Sequence, residues 1–378
     1  MSTQNPDGPL PSDWEEVKPD EPDLVKEHSE ETSQPKALTL NSEFTTPTLT
    51  LPYRPADHHS TLDGSKGKMV DKTKPQLGRE FRVKKWRLLP RIEPPKILPY
   101  ARKAALRKQA AKDTLEKAKE IVDAYLGDWP STMKFSHQTT QSLDTIEPHR
   151  RLNFATTQVK VINKDTLDAA LALENARDIM EIESRRRVVV LNFANAYTPG
   201  GGWLNGAQAQ EEQICYRSTL GHNCLLPEFY PMKADEGLYS SNVLILRENE
   251  ERGFSWMWID TPEKLPMVSV ISLAATQNPS LDATKTKYKN QSERTLMEDN
   301  MRSILRVAAI HRHTRLVLGA LGCGAFLHPP GEVAGCWVGV LQEKEFKGWF
   351  EVIVFAVLDK KDGVNFPTFK EALHNLEM

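Results

Sequence analysis

Apolar positions change their spacing along the chain, and the changes mark out its organisation. Through residue 75 they are scattered without period among Pro, Ser, Thr, Asp and Glu. Such a segment buries too little apolar surface to offset the entropy of ordering it, so residues 1–75 are read as a disordered acidic, Pro-rich tail. From Ala104 to Leu126 the spacing becomes helical, with Leu115, Ala118, Val122 and Tyr125 on one stripe and lysines opposite; Gly127-Asp-Trp-Pro130 ends it. Beyond this helix, short β-branched runs alternate with helical stretches. The pattern predicts strands over Gln158–Ile162, Val188–Phe193, Asn242–Arg247, Met267–Leu273, Arg315–Ala320 and Phe350–Val357. It predicts helices over Thr166–Ser184, Gln210–Leu220, Ser292–His313, Gly331–Glu345 and Phe366–Leu376. No fixed-period repeat is visible. Alternation of this kind argues for a layered α/β domain with a mostly parallel or mixed central sheet, in which ligands bind at the carboxyl ends of the strands.

One stretch concentrates the chemistry. The run Val188-Val189-Val190-Leu191 ends in Asn192-Phe-Ala-Asn195, passes through Gly200-Gly201-Gly202, and reaches Gln210-Glu211-Glu212 at the start of a predicted helix. Three glycines without Cβ atoms can take positive φ and let a backbone or ligand come close. A glycine-rich loop between a strand and a helix presents N–H groups to anions, and the helix start adds partial positive charge. The loop therefore suggests a phosphate or sugar diphosphate. Successive helical residues point about 100° apart, so only one of Glu211 and Glu212 can face a given substrate atom squarely.

A second glycine-bearing loop, Gly322-Cys323-Gly324-Ala325-Phe326, follows the strand at Leu316-Val-Leu. Alone it reads equally as a structural turn or a phosphate loop; paired with the first it favours the phosphate. Its spacing is not Gly-x-Gly-x-x-Gly, and no acidic ribose-binding residue follows at the usual distance, which argues against a nicotinamide site.

Composition narrows the class without deciding it. The 378 residues are 39% hydrophobic and 26% charged, ordinary for a protein with a core, and no apolar run approaches the roughly 20 residues of a spanning helix. The formal net charge of −2 is unevenly distributed: residues 1–31 carry ten acidic and two basic side chains, residues 79–119 fourteen basic and four acidic. Residues 76–103 are read as a basic linker. Phe81-Arg-Val-Lys-Lys-Trp-Arg87 within it suits a polyanion or a nuclear localisation signal; the plainer reading is a solvated tether packed by Trp86 and Leu88. Cys215, Cys224, Cys323 and Cys336 show no zinc spacing and no base is suggested beside Cys215, so neither a metal nor a thiol nucleophile is expected. Cysteine usage fits a reducing compartment, nucleus or cytosol.

Three glycines, seven residues and then Gln-Glu-Glu resemble the signature of the poly(ADP-ribose) glycohydrolases, a branch of the macrodomain fold, and Asn192 to Arg217 is most similar to the microbial-type subgroup. The likeness continues through Gly237-Leu-Tyr-Ser-Ser, Ala274-Ala-Thr-Gln-Asn-Pro279 and Leu316-Val-Leu-Gly-Ala-Leu-Gly-Cys-Gly-Ala-Phe326, covering roughly residues 104 to 360. It implies a three-layer α/β/α macrodomain-like fold with a mixed central sheet and an N-terminal helical extension, residues 104–378 being the catalytic domain. It implies no cofactor and no metal. The implied partners are poly(ADP-ribose), ADP-ribose and ADP-ribosylated proteins, with no membrane. Two departures stand in it. Leu327-His328 precede Pro329-Pro330 where an Asn is common, and Gln277 occupies a place for a small residue or proline. His328 could contact substrate, or be a solvent-facing loop histidine.

The resemblance assigns roles. Glu212 is the implied acid/base for the ribose–ribose glycosidic bond, Glu211 a ribose-hydroxyl partner beside it, Asn195 an orienter of the distal ribose, Gly200, Gly201 and Gly202 the lining of the catalytic loop, and Gln210 a substrate-binding residue. Gly322, Cys323, Gly324, Ala325 and Phe326 hold the diphosphate, with Phe326 on the ribose. Two adjacent glutamates cannot stand on opposite sides of a bond as in ordinary glycosidases, so one carboxylate and the substrate's own diphosphate must suffice. A helix start favours an ionised carboxylate, whereas a general acid carries a proton; a bound diphosphate would favour the protonated form. The microbial subgroup implies removal of units from chain ends. Three other readings stay open: an ADP-ribose reader, a hydrolase of another ADP-ribose linkage, and a non-enzymatic scaffold using the charged N-terminal arms.

Overall fold

A computed structural model of the chain describes residues 100–125, 132–146, 151–173, 187–257, 265–359 and 362–378. The expected disorder of residues 1–75, the basic linker up to residue 99 and the Gly127–Pro130 helix stop lie outside the described residues. The strands are β1 (Thr132–Ser136), β2 (Gln158–Ile162), β3 (Val189–Phe193), β4 (Glu236–Leu244), β5 (Met267–Leu273), β6 (Arg315–Leu318) and β7 (Val352–Ala356). The α-helices are α1 (Tyr100–Tyr125), α2 (Thr166–Leu173), α3 (Gln210–Arg217), α4 (Leu220–Asn223), α5 (Gln291–Ile310), α6 (Pro330–Leu341) and α7 (Asn365–Leu373).

The strands make one mixed sheet in the order β1-β4-β5-β3-β6-β7-β2. Five of them, from β5 to β2, run parallel, while β4 is antiparallel to β5 and β1 to β4. Parallel strands covered on both faces become near-continuous apolar runs, as Met267–Leu273 and Val352–Ala356 show. Period-two alternation then sorts side chains between two cores. Val189, Leu191, Leu316, Leu318, Ile353 and Phe355 join α5, α6 and α7 on one face. Val188, Val190, Val317, Val352 and Val354 join α1, α2 and α3 on the other. These are the three expected α/β/α layers.

The structure shifts several boundaries. Helix α1 begins at Tyr100, and its buried face is Arg107, Ala110, Ala111, Thr114, Ala118, Ile121 and Val122, whereas Leu115 is exposed. Ala118 and Val122 of the expected stripe are buried, Leu115 is not, and two further core-facing positions are the polar Arg107 and Thr114, which hydrogen-bond to Gly206 O and Tyr216 O. Strand β4 starts at Glu236 rather than Asn242, and a register shift between Ser240 and Val243 lets it continue past the irregularity. Gly237 and two serines hid it, yet the glycine is required: a Cβ there would stand 2.4 Å from the Phe135 ring. β1 was missed because, of its five residues, only Phe135 is buried. The helix predicted to Leu220 breaks at extended Ser218 and resumes as α4. The helix expected to Ser184 is described only to Leu173.

Candidate active site

Strands β5, β3 and β6 are neighbours, and the loops leaving their carboxyl ends carry the three motifs noted in the sequence: Ala274–Pro279, Asn195–Gly206 and Gly319–Pro329. The first glycine loop is locked by its own turns. Asn195 Oδ1 accepts from the N–H groups of Tyr197 and Thr198, Gly201 N donates to Thr198 O, and Trp203 N donates to Gly200 O. Gly200 and Gly201 sit at φ +69° and +59°. A Cβ on Gly201 would stand 2.5 Å from Glu212 Oε1 and 3.1 Å from Glu211 Oε2, so the loop presses its backbone onto both carboxyls.

The two glutamates are both buried but differently used. Glu211 Oε2 accepts from Asn195 N at 2.8 Å and its Oε1 from Asn192 Nδ2 at 3.2 Å; Asn192 also donates to Ser272 Oγ across the β3–β5 pair. Both Glu211 oxygens are thus committed to the protein, which makes it a clamp between α3 and the end of β3. Glu212 Oε1 accepts from Gly202 N at 2.9 Å, while its Oε2 is buried with no partner among the described residues. Of the pair, only Glu212 keeps an oxygen for something else.

Burial pushes the Glu211 carboxyl up to about 8, outweighing the hydrogen bonds from Asn195 and Asn192, with Glu212 adding to the rise. Burial likewise lowers His311 and His313 to about 4. The folded chain therefore holds a proton on Glu211 that the unfolded chain releases above 4.5, so this contribution to stability is complete at low pH and is lost as pH rises through about 8. The two histidines act oppositely. Unfolded they bind protons below 6.5 and folded they do not, so stability is lost as pH falls from 6.5 towards 4. Thermal unfolding followed across pH 5 to 9 is expected to give a maximum Tm near roughly pH 6.5. A Tm still rising from about pH 7 to 8.5 would contradict the buried, protonated Glu211.

The second loop is built around Gly322, at φ +76°. The backbone N–H groups of Gly324, Ala325 and Phe326 make no hydrogen bond among the described residues, and a Cβ on Gly324 would meet nothing within 4 Å. Consecutive unspent amides ahead of the α6 N-terminus suit an anion. Cys323 follows Gly322 directly, its thiol pushed up by burial and donating weakly to Leu321 O at 3.7 Å. His328 is neither solvent-facing nor free for a ligand. Its Nε2 donates to Thr276 O and its Nδ1 accepts from Tyr288 Oη, both at 2.6 Å, and its ring packs where a Gly322 Cβ would fall. It ties the second loop to the segment after β5.

Gln210 differs from expectation. Its Oε1 accepts from Phe193 N and its Nε2 donates to Leu191 O and Thr166 Oγ1, so its amide is spent tying α3 to β3 and α2. It positions the site rather than offering a free hydrogen-bonding group. Tyr230 was not singled out. Its hydroxyl is buried without a partner among the described residues, and burial, with Glu211 and Cys215, holds its phenol well above the ordinary value. Nothing in Leu226-Pro-Glu-Phe-Tyr-Pro231 signals such a placement. Among the described residues no group of three or more His, Cys, Asp or Glu could hold a metal ion.

Residues 104–248 match the family model described as microbial-type PARG, catalytic domain. No curated protein matches the chain. Among solved structures, the poly(ADP-ribose) glycohydrolase of Thermomonospora curvata is 26% identical with a TM-score of 0.58, the match covering 72% of this chain and 99% of that one. The same enzyme bound to the inhibitor ADP-HPD gives 26% and 0.56, with the same coverage of both chains. The Deinococcus radiodurans enzyme in complex with ADP-ribose gives 28% and 0.51, over 64% of this chain and 93% of that one. With its glycine loop, glutamate pair and sheet in the arrangement above, this chain is similar over residues 104–248 to the catalytic domain of microbial-type poly(ADP-ribose) glycohydrolases, and over most of its length to the solved bacterial enzymes.

Proposed function

We propose that this protein hydrolyses the ribose–ribose O-glycosidic bonds of poly(ADP-ribose), removing ADP-ribose from chain ends. The observation that carries the reading is the buried, unpartnered Glu212 Oε2 beside the glycine loop. The diphosphate of the terminal unit is held by the amides of Gly324, Ala325 and Phe326, with Gly322 and Cys323 shaping the turn and Phe326 packing on the ribose. Gly200, Gly201 and Gly202 line the distal ribose, which the Asn195 amide orients. Glu212 donates a proton to the leaving ribose oxygen as the bond to the anomeric carbon breaks; water then attacks the oxocarbenium-like carbon and returns a proton to Glu212. The negative diphosphate stabilises that cation in place of a second carboxylate. Glu211 stays a clamp, its oxygens held by Asn195 and Asn192.

Residues 104–378 form the catalytic domain in this reading, with residues 76–103 a basic linker and residues 1–75 a tail. Of the basic segment 79–119, Arg102, Lys103, Lys108 and Lys112 on α1 are exposed, and Lys108 lies against Gly206 of the first loop. This face provides a contact for the polymer's phosphates, and the interaction weakens with salt. ADP-ribosylated proteins carrying such polymers are the cellular partners, and the four free thiols fit the nucleus or cytosol.

Product sizing tests the reading. Incubation with purified polymer is expected to yield free ADP-ribose from the first time points, without intermediate oligomers; early oligomers would mean internal cleavage. Release only from mono-ADP-ribosylated protein would point to another linkage. A second expectation concerns His328→Ala, which strips the partners from buried Tyr288 and Thr276. ADP-ribose should bind about tenfold more weakly, read by calorimetry, because an unsatisfied buried group costs roughly 1–3 kcal/mol. Unchanged affinity would separate the second loop from the diphosphate.

A further inference from the structure

Arg107 lies on the extension helix α1, yet its side chain is fully buried. Its Nε donates to Gly206 O at 2.8 Å and its Nη1 to Glu250 Oε1 at 2.9 Å; Glu250 Oε2 in turn accepts from Gln213 Nε2 at 3.0 Å. Gln213 is the neighbour of Glu212 on α3. Gly206 closes the turn that begins at Gly202: Asn205 N and Ala207 N both donate to Gly202 O, at 2.9 and 3.2 Å, and Gly206 N donates to Trp203 O. Gly202 N is the donor to Glu212 Oε1. One hydrogen-bonded turn thus separates the guanidinium from the carboxyl. The contact is tight, since Gly206 stands at φ +81° and a Cβ there would fall 2.7 Å from Ala104 O of α1.

We infer that Arg107 is a positioning residue for the reaction: it fixes the turn bearing Gly202 and, through Glu250 and Gln213, the helix bearing Glu212, and so sets which Glu212 oxygen is held and which faces substrate. The inference rests on the role proposed above for Glu212. Arginine suits the task because its planar fork serves two acceptors in fixed directions, which a lysine point charge cannot do. The neighbouring polar tie on α1 makes a control. Thr114 Oγ1 donates to Tyr216 O and accepts from Arg247 Nε, joining α1 to the far end of α3 without touching the Gly202–Gly206 turn.

The test compares Arg107→Met, Arg107→Lys and Thr114→Val in the full chain, measuring kcat and KM on polymer, the pH profile of kcat, ADP-ribose affinity and Tm. Arg107→Met should lower kcat per folded molecule roughly 10- to 100-fold and displace the pH profile, with KM and ADP-ribose affinity within about threefold. Arg107→Lys, which keeps the charge but not the fork, should recover part of kcat and stands in if the methionine variant does not fold. Thr114→Val should lower Tm and leave kcat and its profile unchanged. If the Arg107 variants behave like Thr114→Val, losing Tm alone, Arg107 is only structural and the inference falls while the glycohydrolase reading survives. If the wild-type chain releases no ADP-ribose from polymer, that reading falls and takes the inference with it.

Discussion

Glu212→Gln should lower the rate of ADP-ribose release from poly(ADP-ribose) by at least about 10³-fold while leaving ADP-ribose affinity within about threefold. Glutamine has the same length, and its Oε1 can still accept from Gly202 N, so the turn keeps its anchor. What it lacks is a proton to give the leaving oxygen and a base to take one from water. Alanine would be a poorer probe, because it would orphan the Gly202 N–H as well as remove the acid. Steady-state release and calorimetric binding, measured on the same preparation, check the expectation. Retention of more than a tenth of the rate would move the proton transfer to another group.

Gly201→Ala should be the second large effect, and it should differ in kind. The position has φ +59°, and the new methyl would stand 2.5 Å from Glu212 Oε1 and 3.1 Å from Glu211 Oε2. A left-handed backbone costs an L-residue about 1–2 kcal/mol, and the carboxyls must also move to relieve the contact. Displacement of a reacting group by even an ångström can cost about 10²-fold in rate. Tm and kcat should therefore fall together, whereas Glu212→Gln should spare Tm. A lowered Tm with full kcat would mean that the loop does not set the carboxyl geometry.

The residues most legible in the sequence are those whose type has a single physical use. Three consecutive glycines without Cβ atoms announce a place where a backbone or ligand comes close, and the structure places Gly201 against both carboxyls of the adjoining helix start. Strands such as Gln158–Ile162 and Met267–Leu273 were readable to the residue because their apolar content decides their burial. Residues whose role depends on a distant partner were hidden. Arg107 looked like one more charge in a basic run, and only the fold brings Gly206 and Glu250 to it. His328 read as a loop histidine because Tyr288 and Thr276, its two partners, are distant in sequence. The resemblance implies Gln210 as a substrate-binding residue, but its amide is consumed by β3 and Thr166, partners that only the fold brings to it. The unequal use of Glu211 and Glu212 was beyond adjacency alone, since it follows from Asn192 and Asn195 capturing one carboxyl.

Single-turnover cleavage tests the central claim most directly. With the wild-type chain in excess over purified poly(ADP-ribose), product release drops out of the rate and only binding and chemistry remain. The account predicts conversion of the polymer to ADP-ribose by wild type, and polymer bound but intact with Glu212→Gln. Polymer bound and intact with wild type as well would contradict it, leaving a domain that holds ADP-ribose without cutting it.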